Sequence, residues 1–276
     1  MFVVAHISDL HFNGTRFNRS RIQSTLSYIN ARAAGIDALL VTGDIADEGV
    51  PSEYREAFGV LQSPLPMLIT AGNHDVREPF SATLLGAETS GPINHARRVG
   101  DVLFLMCDSS IPGRNDGYID DQTLTWMSAR LEAEDPQTPV FIAFHHPPVE
   151  LHMPFMDSIR QTGEERLVPL VERHPNIVAF LCGHAHTPAV TRFADRPLCV
   201  APGVASTLNL PFEGNEVVNR GQPPGIAFHI YDKGATRHPL PIGHVLTELR
   251  SGDVLTELSP RSPPNRWPTI RRRATA

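Results

Sequence analysis

The sequence predicts a layered α/β fold, and three observations carry that prediction. Short, almost wholly apolar runs alternate with stretches whose apolar residues recur at helical spacing, which is the order of a βα core. After Ala189 the helical stretches stop and only short strand-like pieces follow, so the sheets gain late, antiparallel strands. Clusters of Asp, Asn and His stand directly behind five of the apolar runs.

In chain order, Phe2–Ser8 is the first strand. Ile22, Leu26, Ile29 and Ala33 follow at helical spacing, and Gly35 offers a C-terminal stop. Ala38–Thr42 is the second strand, and beyond Pro51 the residues Tyr54, Phe58 and Leu61 mark the second helix. Met67–Thr70, Val102–Cys107, Val140–Phe144 and Ile177–Leu181 are further strands. Helices are marked among them by Leu124, Met127 and Leu131, and by Leu167, Leu170 and Val171. The late pieces are Ala189–Phe193, Leu198–Ala201, Ile226–Tyr231 and Pro239–Ile242. Residues 203–225, rich in Gly, Pro and Asn, read as a long excursion or cap within one domain over 1–243. Residues 244–276 read as a tail. It repeats Val245-Leu246-Thr247-Glu248-Leu249 as Val254-Leu255-Thr256-Glu257-Leu258 around a possible hairpin turn at Arg250–Asp253, and Arg271-Arg272-Arg273 is a solvated end.

Composition bounds the function. The chain of 276 residues has 41% hydrophobic and 20% charged residues, which excludes a disordered or fibrous protein. A net charge of −6 argues against coating nucleic acid, so no nucleic-acid polymer is expected as partner. Cys107, Cys182 and Cys199 lie in apolar runs without CxxC spacing, which argues against a disulfide framework or a thiolate zinc site. The N-terminus lacks a basic region and meets His6 and Asp9 too early for a signal segment. No apolar stretch reaches the ~18 residues of a membrane span. A cytoplasmic protein is expected.

Asp9-Leu10-His11, Gly43-Asp44, Gly72-Asn73-His74-Asp75, His145-His146-Pro147-Pro148 and Gly183-His184-Ala185-His186 each follow an apolar strand. Ligands of α/β sheets gather beyond the carboxyl ends of the strands, so the five clusters can converge. Carboxylate, carboxamide and imidazole without thiolate suit Mn, Fe, Co, Zn or Ni. Seven or eight donors exceed the needs of one cation. They suit two metals ~3.5–4 Å apart, bridged by one carboxylate, that clamp both oxygens of an in-line displacement at phosphorus. Gly43, Gly72 and Gly183 would let the backbone turn sharply at the strand ends.

At these residues, from position 9 to 186, the sequence resembles the calcineurin-like metallophosphoesterases. Ala5-His6-Ile7-Ser8-Asp9, Thr42-Gly43-Asp44-Ile45-Ala46-Asp47 with Glu53-Tyr54, and Phe144-His145-His146-Pro147-Pro148 are similar to the bacterial class III cyclic-nucleotide phosphodiesterases and the dinuclear glycerophosphodiesterases. The resemblance implies a four-layer α/β/β/α sandwich of two mixed sheets, with 1–243 as the catalytic domain. It implies two divalent or trivalent metal ions (Mn, Fe, Zn or Co), one held by Asp9, His11 and His186 and the other by Asn73, His145 and His184. Asp44 would bridge them. His74 would face the substrate, stabilise phosphoryl oxygens and protonate the leaving group, oriented by Asp75. Asn73, His74 and His184 would bind substrate, and His146 would pack beside the metal site.

The function so implied is hydrolysis of a small phosphodiester, 3',5'-cyclic AMP or a glycerophosphodiester, by attack of a metal-bound hydroxide. A phosphomonoester or nucleotide pyrophosphate substrate is one alternative, and a repair-type nuclease or a non-catalytic scaffold are others. The acidic balance and the lack of an added capping domain oppose the nuclease; the complete ligand set opposes the scaffold. His6 and His229 read as core residues, Arg97-Arg98 as a solvated pair, and Trp126 and Met127 as helix core; His152 could line the pocket. Rim loops are expected at 12–19, 76–95, 111–118, 149–160 and 203–225. Val204, Leu208, Leu210 and Phe212 in the excursion need a surface to cover, which predicts a homodimer.

Overall fold

The computed structural model describes residues 1–214, 216–232 and 242–246, the last five as backbone alone. Its strands are β1 Phe2–Ile7, β2 Ala38–Thr42, β3 Met67–Thr70, β4 His95–Val99, β5 Val102–Met106, β6 Gly117–Tyr118, β7 Val140–Ala143, β8 Gln161–Thr162, β9 Ile177–Cys182, β10 Ala189–Phe193, β11 Arg196–Val200, β12 Thr207–Leu208, β13 Val218–Asn219, β14 Ile226–Tyr231 and β15 Ile242–Leu246. Its α-helices are α1 Arg16–Asn30, α2 Pro51–Val60, α3 Arg77–Phe80, α4 Asp121–Glu132, α5 Pro154–Asp157 and α6 Val168–Arg173.

Two mixed sheets carry the structure, in the orders β15-β14-β1-β2-β3 and β10-β11-β9-β7-β5-β4. β1, β2 and β3 run parallel, with β14 antiparallel to β1 and β15 antiparallel to β14. In the second sheet β5, β7, β9 and β11 run parallel, with β4 and β10 antiparallel at the two edges.

The reason the strands read as unbroken apolar runs is that each sheet is covered on both faces. Val4, Leu40 and Leu68 from one sheet meet Phe104, Phe141 and Leu181 from the other in a central core. On the far face of the first sheet, Ile7, Leu39 and Val41 pack against Ile22, Leu26 and Ile29 of α1 and Tyr54 of α2. On the far face of the second, Leu105, Ile142 and Phe180 pack against Met127 and Leu131 of α4 and Leu170 of α6. The result is the four-layer α/β/β/α sandwich expected.

Some boundaries differ from the sequence reading. The helix expected to run to Gly35 ends at Asn30, and Ala33–Gly35 forms a separate 3-10 turn. Arg32 stacks on Tyr28 and donates to its carbonyl, fixing the chain as it leaves α1. β15 crosses the boundary placed at 243/244, because its ladder with β14 continues to Leu246. The Val-Leu-Thr-Glu-Leu duplication beyond Leu246, its hairpin turn and Arg271–Arg273 lie outside the described residues. Among the described residues no helix is long and apolar enough to cross a membrane.

Candidate metal centre

The parallel strands of both sheets end on one side of the sandwich, and their following loops are stitched together by backbone hydrogen bonds. Asp9 N–H donates to Gly43 O, and Leu10 and His11 N–H both donate to Asp44 O at 2.9 Å. Gly183 N–H donates to His145 O at 2.9 Å, and Ala205 N–H to Asp9 O at 3.0 Å. Five of the metal candidates hold left-handed backbone: Asp9 (φ 54°), His11 (45°), Asp44 (49°), His184 (68°) and His186 (55°). Such strain at non-glycine residues persists only where surrounding structure enforces it, and it clusters at functional sites.

The glycines serve two purposes rather than the one expected. Gly43 does turn through φ 84°. Gly183 has no such conformation; a Cβ there would overlap Ser8 Oγ and lie 2.6 Å from Thr42 O, so it is glycine because two strand ends touch.

The donors converge. Ligand atoms of Asp9, His11, Asp44 and His186 lie within 4.8 Å of one another, as do those of His145, His146 and His184. His145 Nε2 is 3.3 Å from Asp44 Oδ2 and 3.9 Å from Asp9 Oδ1, which joins the two groups. His11 Nε2 is 3.7 Å from Asp44 Oδ2, and His186 Nε2 is 3.5 Å from Asp9 Oδ1. Asp44 therefore touches both groups.

Each imidazole is oriented by its outer nitrogen. His145 Nδ1–H donates to Thr42 O at 2.6 Å, His11 Nδ1–H to Asp47 Oδ1 at 3.0 Å, and His186 Nδ1–H to Ser206 O at 3.1 Å. His184 does the reverse, with Nε2–H donating to Ile159 O at 3.1 Å. One lone pair per ring is thereby directed inward, the arrangement that fixes tautomer and angle at metal-binding histidines. Asp9 Oδ2, Asn73 Oδ1 and His145 Nε2 are buried without a hydrogen-bond partner, so the donor set fits cations.

Charge tells the same story. Burial opposes ionisation of Asp44, yet His145, His11 and His74 hold its carboxyl well below the usual range. Burial likewise opposes a charge on His145, but Asp44 and Asp9 push it up to about 9. Two buried carboxylates thus demand positive charge at this spot. Burial and the neighbouring imidazoles push His184 well below its ordinary value, as burial and His145 do His146. His146 bonds through Nδ1 to Ser109 Oγ at 2.8 Å, and its ring centroid lies 4.4 Å from that of His184 with the two rings tilted by 52°.

His74 and Asp75 need a correction. Asp75 was expected to orient His74, but its carboxylate accepts the backbone N–H groups of Ile45, Ala46 and Gly72 and the hydroxyl of Tyr54. Burial and the nearby charge of Asp44 push Asp75 up to about 6. It ties the second and third strand-end loops together. His74 is anchored by Nδ1–H donating to Asp47 O at 2.6 Å, and its backbone N–H donates to Asp44 Oδ1 at 3.0 Å.

A cleft of about 260 Å³ opens over these groups. Asn73, His74 and His184 line it, as do Asn115, Phe155, Leu208 and Arg220 from the expected rim loops. His152, offered as a pocket residue, takes left-handed backbone at φ 59° before α5, and the α5 residues Phe155 and Met156 line the cleft instead. Sequence reasoning missed Asp47 and Ser206 as supports of the site; the only available signal for Asp47 was its place in Gly43-Asp44-Ile45-Ala46-Asp47.

The chain belongs to the calcineurin-like phosphoesterase family, whose profile matches residues 2–188, and it is a metallophosphoesterase. Members of this family bind divalent metals. It is 30% identical over 258 residues to a probable cyclic nucleotide phosphodiesterase of Rhodococcus erythropolis, covering 88% of this chain and 85% of that protein. It is 32% identical over 246 residues to the glycerophosphodiester phosphodiesterase GpdQ of Enterobacter lignolyticus, covering 82% and 86%. Among solved structures, a dimetal phosphatase from Danio rerio shares the fold with a TM-score of 0.59 at 14% identity, covering 82% of this chain and 95% of that one.

Proposed function

We propose that the protein hydrolyses small phosphodiesters, cyclic nucleotides or glycerophosphodiesters, at a two-metal centre. The observation that carries this reading is the convergence of Asp9, His11, Asp44, Asn73, His145, His184 and His186, with four imidazoles each held by the nitrogen that faces away. Asp9, His11 and His186 would hold one metal, Asn73, His145 and His184 the other, and Asp44 both. The metals, when bound, supply Lewis acidity to the phosphoryl group and to the attacking water. The relatives' names support a diester over a monoester.

This chain's own residues do the rest. Asp47 O holds Nδ1 of His74, so Nε2 is the atom that meets substrate and gives a proton to the departing alcohol. Asp75 fixes the loop that carries His74 through three backbone amides. A hydrolysis panel at fixed Mn2+ tests the reading, with cyclic AMP, glycerophosphodiesters, an aryl diester and the matching monoester. Faster turnover of diesters is expected; preference for the monoester refutes it.

The homodimer is proposed as well. Of the four apolar residues that predicted it, Val204 and Leu208 are instead buried in this chain's own cores and Leu210 packs against the second of them, which leaves Phe212, 82% exposed, together with the exposed Val217, Val218 and Phe155. Light scattering on the intact chain at micromolar concentration should give twice the monomer mass, and a monomer refutes it.

A further inference from the structure

Among the described residues no carboxylate bonds to the His74 ring. Asp75, its neighbour in sequence, spends its oxygens on the amides of Ile45, Ala46 and Gly72 and on the Tyr54 hydroxyl. The ring is held by a carbonyl instead, with Nδ1–H donating to Asp47 O at 2.6 Å. A carbonyl orients an imidazole only as firmly as its own peptide is fixed.

That peptide has a second handle. A trans peptide is planar, so its C=O and N–H point in opposite directions and turn together. Asp47 O and Glu48 N–H belong to one such unit, and Glu48 N–H donates to Glu53 Oε2 at 3.0 Å. The same oxygen accepts Val50 N–H at 3.3 Å, which caps the start of α2. Glu53 is buried and does not line the cleft. Gly49, between the two donors, lets the loop rest on the chain around His74: a Cβ there would lie 2.5 Å from Val76 Cγ2 and 3.0 Å from His74 O. A carboxylate on the N–H end also polarises the peptide, so the carbonyl end accepts more strongly.

Resting on the phosphodiesterase reading above, with His74 as its acid, we propose that Glu53 is the carboxylate that orients His74, acting through the Asp47–Glu48 peptide rather than by contact. The series runs from Glu53 Oε2 to Glu48 N–H, across the peptide to Asp47 O, and on to His74 Nδ1–H. It leaves Nε2 aimed at the departing oxygen. Glu53 is a positioning residue. Its bond to Val50 serves the helix, and its bond to Glu48 serves the proton transfer.

The test uses the full chain with Mn2+ and two diesters. Diphenyl phosphate has a poor leaving group; bis(para-nitrophenyl) phosphate has an acidic one that needs little help from a proton. Glu53→Ala should lower kcat about 10–100-fold on the first and less than about threefold on the second, with KM unchanged. Glu53→Met, which keeps the length without the acceptor, takes its place should alanine not fold. Glu53→Gln keeps an oxygen for both amides and should recover most of the loss on diphenyl phosphate. Calorimetric titration gives a readout apart from turnover: Glu53→Gln should bind Mn2+ as tightly as the parent. Equal losses on the two diesters, or parental rates in the variant without an acceptor, would reduce Glu53 to a helix cap and overturn the proposal. Weakened Mn2+ binding in Glu53→Gln would move its effect to the metal ligands and overturn it too. A parent chain that hydrolyses phenyl phosphate but neither diester would overturn the phosphodiesterase reading itself, and the proposal with it.

Discussion

Replacing Asp47 separates two supports that one residue supplies. Its carboxylate accepts Nδ1–H of His11 at 3.0 Å, and its backbone carbonyl accepts that of His74 at 2.6 Å. Asp47→Ala removes the first and leaves the second. A carboxylate that orients a metal-binding imidazole is typically worth about 10–100-fold in metal affinity. The Asp47 side chain is 35% exposed, so water screens it and competes for His11. That places the loss near the lower end, about tenfold in Mn2+ affinity or ~1.4 kcal/mol. Asp47→Asn keeps an acceptor oxygen at the same place without the charge and should lose about half as much free energy, since hydrogen bonds to ions are roughly twice as strong as neutral ones. Calorimetric titration of the metal-free full chain with Mn2+ reads both variants. An alanine variant that binds as tightly as the parent would refute the argument that Asp47 holds His11 for a metal.

Three further outcomes follow from the same geometry. His74→Ala should keep its metal content but lose about 10²–10⁴-fold in turnover, less for a diester with a very acidic leaving group; equal losses across leaving groups would remove the acid role. Gly183→Ala forces a methyl into Ser8 and Thr42 and should cost about 1–3 kcal/mol in denaturant unfolding, with an unchanged midpoint as the contrary result. His6 and His229 form a buried pair, Nδ1 to Nε2 at 2.9 Å, with His6 Nε2 2.8 Å from Thr42 Oγ1. Burial lowers His229 to about 4, and burial with the neighbouring His229 holds His6 well below 6.5. The folded state thus binds fewer protons than the unfolded one, so their contribution is complete above about 6.5 and drains away as pH falls toward 4. Urea midpoints measured across that window should fall more steeply with acid than those of His229→Phe; parallel curves would contradict it.

Legibility followed the physics of each segment. The strands β1, β2, β3, β5, β7 and β9 stood out because both their faces are buried, which leaves no polar alternation to confuse with helix. β4 was missed because it is an edge strand, His-Ala-Arg-Arg-Val, whose Arg97 and Arg98 lie on the surface and bind Met67 O and Glu134. The ladders β6–β8 and β12–β13 are two residues long, too short for any period to register. At the site, the donors that end strands were readable from position alone. Their supports were not: Asp47 meets His11 across 36 residues, and Ser206 meets His186 across 20 through a segment read only as a cap. Tyr54 counted as a helix-face apolar residue, while its hydroxyl donates to Asp75 and accepts from Val76 N–H.

The most direct test of the two-metal account is elemental analysis paired with activity for the chain and for Asp44→Ala. Asp44 is 3.3 Å from His145 Nε2 and 3.7 Å from His11 Nε2, within reach of both ligand groups. The account predicts two metals per parent chain, diester turnover that appears only as the second equivalent of Mn2+ is added, and loss of both metal content and turnover in Asp44→Ala. Full turnover with one equivalent, or an Asp44→Ala protein that keeps two metals and near-parental rates, would contradict it.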